Sequence, residues 1–187
     1  MRIVTRFKTI PVNPNLHKKI IDFWEKDKNY LETSEDLQLI RPDEYQDYIV
    51  IKDSHPLHDL LNIPVPYFAL VYLRSLPRAG LGPVHIDSKR QCALNIPIQV
   101  DLDSSFFFVA NQECTEREPY ENEPVNVGSK RYIYEPEKYN YYNLREPCLL
   151  DTKTPHGFAN FANTERILLS IGFLESYDTV LTHLRSL

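Results

Sequence analysis

The sequence predicts a mainly β domain of jelly-roll or barrel type behind a short helical flank. Three observations carry that expectation. Among 187 residues there are 14 prolines and only 5 glycines, so many short elements are punctuated at close intervals. From Tyr67 onward, about eight apolar stretches of strand length follow one another with no helical pattern between them, which excludes a parallel sheet built by βαβ alternation. The composition, 42% hydrophobic and 25% charged, is that of an ordinary globular domain with a core of its own.

The elements follow in chain order. "MRIVTRFKTI" alternates polar and apolar residues and reads as a strand; it has no signal-peptide core. "NPNLHKKIIDFWEKDKNYL" reads as a helix. Asn13 is placed to cap it, Pro14 fits the first helical position, and Leu16, Ile20, Phe23, Trp24 and Leu31 form its apolar stripe. "YIVIKD" is a strand, and "SHPLHDLLN" a short helix with Ser54 as its cap and the Pro64 and Pro66 pair beyond its end. "PYFALVYLRSL", "PVHID", "RQCALNIPIQV" and "SSFFFVAN" are the next strands, the last dense in β formers. Residues 112–130 read as a polar loop. "RYIYE", "YNYYNL", "PCLLDT", "HGFANF" and "RILLSIGF" continue the sheet, and "SYDTVLTHLRSL" reads as a terminal helix. The expected organisation is a single domain: a flank over 1–66, a β core over 67–173 and a helix over 174–187. Phe23 and Trp24 are expected to be buried where the first helix packs on the outside of the sheets.

Bulk chemistry narrows the partners. The net charge of −5 and the lack of a basic stripe argue against nucleic acid. No apolar run is long enough to span a membrane. Three cysteines without a CxxC pair, Cys92, Cys114 and Cys148, suggest reduced thiols and a cytoplasmic setting.

Chemistry concentrates in "GPVHIDSKRQCALNIPI". In a strand, residues two apart point the same way, so His85 and Asp87 can present an imidazole and a carboxylate to one point. That is two-thirds of the 2-His-1-carboxylate set that holds non-haem Fe(II) with one coordination face open. Alone the spacing is cheap: with 6 His and 26 acids in 187 residues, about one such pair arises by chance. The bland alternative is a solvated strand end. "TPHGFANFANTERILLSIGF" adds His156 at the start of one strand and Arg166 at the head of another. Arg166 precedes Ile167, Leu168, Leu169 and Ile171, a context in which an arginine needs an anionic partner. A carboxylate ligand would supply one through a bidentate pair. Ser170 lies in phase with Arg166, and Asn95 in phase with Ala93 and Pro97.

As a set, these motifs resemble the double-stranded β-helix of the Fe(II)- and 2-oxoglutarate-dependent oxygenases, over about Tyr67 to Phe173. Within that superfamily the two quoted segments are similar to the aspartyl/asparaginyl β-hydroxylase-like and phage-type hydroxylase branch. The resemblance implies iron held by His85, Asp87 and His156, and 2-oxoglutarate held at its distal carboxylate by Arg166, with Ser170 and Asn95 lining the pocket. It implies oxidative decarboxylation of 2-oxoglutarate coupled to hydroxylation of an amino-acid side chain, free or in a protein, or of a small metabolite. Two departures stand. The aspartyl/asparaginyl group often has Gly where Asp87 stands, and many relatives carry Ser two residues after the arginine, where this chain has Leu168.

Other residues have two readings. Lys89 and Arg90 either meet an anionic substrate group or lie in a solvated loop. At most one of Tyr67 and Tyr72, on opposite faces of one strand, lines the interior. The six tyrosines from 120 to 142 form a lid or, more simply, a sheet surface. His17, His55, His58 and His183 lack metal-like neighbours and read as structural. Two rival functions remain: a cupin-like metal enzyme that does not use 2-oxoglutarate, and a metal-free β-sandwich that binds a partner.

Overall fold

The computed structural model describes residues 6–41, 45–120 and 129–184. In chain order the elements are β1 (Phe7–Thr9), α1 (Pro14–Asp27), β2 (Leu37–Ile40), β3 (Gln46–Ile51), α2 (Leu57–Leu60), β4 (Ala69–Ser75), β5 (Gly80–Leu81), β6 (Val84–Ile86), β7 (Cys92–Gln99), β8 (Ser105–Ala110), β9 (Glu116–Arg117), β10 (Lys130–Tyr132), β11 (Tyr139–Tyr142), β12 (Cys148–Asp151), β13 (His156–Asn160), β14 (Arg166–Phe173) and α3 (Tyr177–Leu184). They form two antiparallel sheets. The first runs β1-β12-β7-β14-β4-β3-β2; the second runs β11-β8-β13-β6-β10-β9, with β5 also on β13. This is a double-stranded β-helix, as the run of short strands predicts.

Period-two side-chain alternation sorts the core into layers. One face of the first sheet carries Ile49, Leu70, Tyr72, Leu94, Ile96, Ile167, Leu169, Ile171 and Phe173, and packs against Ile20 and Trp24 of α1, Leu57 of α2 and Val180 of α3. Its other face carries Leu150 and Leu168, which meet Phe107, Val109 and Phe158 of the second sheet. β14 is therefore covered on both faces, and all eight of its residues are buried. A strand buried on both sides reads as a continuous apolar run, which explains its sequence. The outer face of the second sheet is closed by Phe108 and Tyr139, with Tyr132 and Tyr134 packed alongside.

Local sequence explains most boundaries. The Asn13 side chain accepts the Asn15 N–H at 2.8 Å, and Pro14 opens α1. The helix ends at Asp27, four residues before Leu31, and Asp27 turns into the core. There it accepts a hydrogen bond from the Tyr72 hydroxyl at 2.9 Å. His55 Nδ1 accepts the Leu57 N–H, so its Nε2–H faces Asp27, 3.3 Å away. Trp24 is buried as expected, but Phe23 is only partly so, tilted against the His55 ring.

Three expectations are corrected. Ser54 does not cap α2: it lies two residues before Pro56, which occupies the cap position, and donates instead to Asp36 Oδ1 at 2.6 Å. The polar loop over 112–130 contains β9, which pairs with β10; residues 121–128 lie outside the described part. Leu37–Ile40 forms a strand that the sequence did not signal, because its pairing with β3 is non-local. The strand read over residues 1–10 is described only from Phe7, and the terminal helix only to Leu184. Among the described residues the three cysteines are free, and no helix is long and apolar enough to cross a membrane.

Candidate metal centre

Strand pairing brings the two histidines together. His85 in β6 stands opposite His156 in β13, with ring centroids 4.6 Å apart. Asp87 follows β6 directly. The ligand atoms of His85, Asp87 and His156 all lie within 4.8 Å of one another, close enough for one ion to reach the three.

The ring nitrogens are already assigned by their partners. His85 Nδ1 lies 2.9 Å from the Pro83 carbonyl, and His156 Nδ1 lies 2.9 Å from the Thr154 carbonyl. A carbonyl only accepts, so each Nδ1 carries a proton, and Nε2 is the nitrogen of each ring turned toward the shared point. His85 Nε2 faces Asp87 Oδ1 at 3.6 Å. His156 is buried, and burial together with the neighbouring His85 lowers its pKa to about 4, so the imidazole is neutral at ordinary pH. Burial alone would raise the Asp87 carboxyl, but the Arg90 guanidinium, with the neighbouring His85 and His156, outweighs it and holds the acid well below the usual carboxylate range. Two imidazole nitrogens and one carboxylate at a common point form a donor set for a divalent cation.

The turn that carries Asp87 is tied down from both sides. Asp87 N–H donates to the Thr152 carbonyl at 3.0 Å, and Lys153 Nζ donates to the Asp87 and Ser88 carbonyls at 2.8 and 2.9 Å. Arg90 Nε donates to Asp87 Oδ2 at 2.8 Å, and its Nη2 pairs with the same oxygen at 2.8 Å.

Arg166 is 1% exposed and lies across the same cavity. Its Nη1 donates to Ser75 Oγ at 3.4 Å, a long contact. Nε and Nη2 have no hydrogen-bond partner among the described residues. The Phe107 and Phe158 rings flank the guanidinium carbon, with centroids 4.6 and 4.9 Å away. Burial lowers its pKa to about 9. A buried cation with two unmet donors costs several kcal/mol unless an anion meets it. Ser170 and Asn95, opposite each other on β14 and β7, line the cavity as well. His85, His156, Asn95, Arg166 and Ser170 thus line one space, and Asp87 borders the outer cavity beside it. That space measures about 40 Å3, and Tyr48, Leu73 and Arg90 separate it from an outer cavity of about 440 Å3.

Several residues fall elsewhere. Tyr72 belongs to the opposite face of β4, and Tyr67 stacks on His58, so neither lines the cavity. Of the tyrosine cluster, Tyr132, Tyr134 and Tyr139 pack on the second sheet, Tyr134 and Tyr139 stacking at 5.6 Å, whereas Tyr142 stacks on Phe7 of β1 and Tyr120 is exposed. His17, His55, His58 and His183 each have a partner away from the site. Lys89 is exposed, whereas Arg90 is bound to Asp87 and is no solvated loop residue. Gln46 and Tyr48, on the inner face of β3, were missed. The available signal was the alternation in "QDYIVI", where Gln46, Tyr48 and Val50 oppose Ile49 and Ile51.

No family model matches the chain, and no curated protein matches it. Solved structures do. The non-haem alpha-ketoglutarate-dependent epimerase SnoN from nogalamycin biosynthesis is 13% identical, with a TM-score of 0.55 over 89% of this chain and 77% of its own. A Burkholderia pseudomallei oxidoreductase of the 2OG-Fe(II) oxygenase family is 11% identical, TM-score 0.53, over 89% and 83%. HygX from Streptomyces hygroscopicus, solved with nickel, 2-oxoglutarate and hygromycin B bound, is 13% identical, TM-score 0.52, over 90% and 82%. At this identity the likeness concerns the fold, and what this chain shares with these proteins is the double-stranded β-helix.

Proposed function

We propose that the protein is an Fe(II)- and 2-oxoglutarate-dependent oxygenase acting on a C–H bond of an amino-acid side chain, free or in a polypeptide, or of a small metabolite. The observation that carries this reading is one cavity with two opposed demands. His85 and His156 line it at one end, where Asp87 completes a three-donor set for a cation from the side of the outer cavity, and Arg166 holds two unmet N–H groups at the other. A dicarboxylic 2-oxo acid satisfies both. A cupin-like enzyme without this co-substrate leaves Arg166 unexplained, and a metal-free sandwich leaves the triad unexplained too. That SnoN is described as alpha-ketoglutarate dependent and HygX as holding 2-oxoglutarate supports the same reading.

In this reading His85, Asp87 and His156 hold the metal, which when bound supplies O2 activation coupled to oxidation of the 2-oxo acid. Arg166 grips the distal carboxylate with its free donors. Ser170 and Asn95 place hydroxyl and amide groups beside it, and Phe107 and Phe158 keep water from the pair. The inner space holds only two or three water molecules, so a bound diacid pushes the wall at Tyr48 and Leu73 outward. The substrate then approaches from the outer cavity.

The test is an anaerobic titration of 2-oxoglutarate into Fe(II)-loaded protein. Replacing Arg166 with Ala should leave the metal bound, since Arg166 is not a ligand. Co-substrate affinity should fall about ten- to a hundredfold, the worth of hydrogen bonds to a charged group. Equal affinity in the two proteins rejects the co-substrate and moves the cupin alternative ahead. Wild-type protein that takes up no divalent metal rejects both.

A further inference from the structure

We propose that Arg90 is a positioning residue for the metal site: it fixes which oxygen of Asp87 is left for the ion. The inference rests on the metal-binding role of the triad. Arg90 places two donors, Nε and Nη2, on one acceptor, Asp87 Oδ2, at 2.8 Å each. Oδ1 is thereby left facing His85 Nε2. A carboxylate held this way is a one-oxygen ligand. It cannot swing to chelate an ion with both oxygens, so an additional coordination position stays free for the co-substrate or O2.

The alternative is an ordinary turn-closing ion pair between residues three apart, which is worth little. Three observations set Arg90 apart from that. Its Nη1 donates at 3.2 Å to Ser170 Oγ, a buried hydroxyl on β14 of the first sheet, so the guanidinium ties the Asp87 turn that follows β6 of the second sheet to the first. Its stem lies in a space that exists because residue 172 is glycine: a Cβ there would come within 2.7 Å of Arg90 Cδ and 3.1 Å of Cγ. Its backbone is also anchored, with its carbonyl accepting from Thr152 Oγ1 at 2.8 Å. Head, stem and backbone are each seated. Arg90 further belongs to the wall between the inner and outer cavities, so the same guanidinium borders the path by which a substrate reaches the metal.

The experiment is a Co(II) titration of the folded protein, followed by calorimetry and by the visible absorption of the bound ion, with thermal melts confirming that each variant is folded. Arg90→Ala should bind Co(II) about ten- to a hundredfold more weakly, as expected for loss of a partner that orients a ligand. Its cobalt spectrum should change as Asp87 becomes free to rotate. Arg90→Lys keeps the charge but cannot place two donors on one oxygen, and should recover only part of the loss. Gly172→Ala keeps every donor and every charge, yet displaces the stem, and should shift affinity and spectrum the same way. It carries the test if Arg90→Ala does not fold. Lys89→Ala, exposed and adjacent, should match wild type. Unchanged affinity and spectrum in Arg90→Ala and Gly172→Ala overturn the proposal and leave the metal reading standing. Tighter binding overturns it too, because the arginine would then compete with the ion. Absence of Co(II) binding in wild type removes the metal reading, and this proposal with it.

Discussion

Arg166 is the residue at which folding and binding pull apart. Its two unmet donors lower the stability of the ligand-free protein, and the stacking of Phe107 and Phe158 offsets only part of that. Arg166→Met fills nearly the same volume without the charge. It should raise the melting temperature of ligand-free protein by a few degrees, given about 2–4 °C per kcal/mol for a chain of this size. It should also abolish 2-oxoglutarate binding. A lower melting temperature would mean that the guanidinium already has a partner worth its desolvation. Arg166 was legible in sequence because a charge inside an apolar strand contradicts its surroundings. His85 and Asp87 were legible because strand alternation is local. Arg90 was only half legible: the bond to Asp87 crosses a tight turn and the bond to Ser170 crosses 80 residues, and neither leaves a periodic trace.

At the scale of elements, β13 carries the site's most exacting packing. Gly157 follows His156, and a Cβ there would meet Phe108 Cζ at 2.3 Å, a ring fixed between Tyr134 and Tyr139. Neither ring nor strand has room to yield. Gly157→Ala should therefore cost about 1–3 kcal/mol of stability, the range for overpacking a filled core. The readout is a lower denaturant midpoint at unchanged m-value. Metal affinity should fall as well, because His156 is the next residue. β7, β8, β12 and β14 were legible because each is a mainly apolar run of strand length, β8 dense in β formers as well. β2 was not: its four residues include an exposed isoleucine and gain their identity from β3. The same holds for Gln46 and Tyr48. Their strand could be read, but its seat beside β4, over the cavity, is set by long-range pairing.

For the molecule as a whole, an ion that binds the folded chain and not the unfolded one must stabilise every part of it. Co(II) or Ni(II) at a hundred times its dissociation constant should add about 2.7 kcal/mol. That corresponds to about 5–11 °C in melting temperature for a domain of this length. Chelator should reverse the gain, and His85→Ala and His156→Ala should abolish it. A melting curve indifferent to the ion would refute the metal centre. The sequence conveyed the class of fold because many short strands without helices admit few architectures. It conveyed little of how the layers are dressed: β1, β2 and β3 extend the first sheet from a region that reads as flank.

The three candidate metal donors all lie with the second sheet, on β6, β13 and the turn after β6, whereas Arg166, Ser170 and Asn95 all hang from the first. A molecule gripped at both ends would act as a rivet through the sandwich. Sliding of one sheet over the other, the softest collective motion of a layered body, would then have to stretch a coordination bond or an ion pair. Loading the site would stiffen the protein mechanically in the one direction that hydrophobic contact between the sheets resists least.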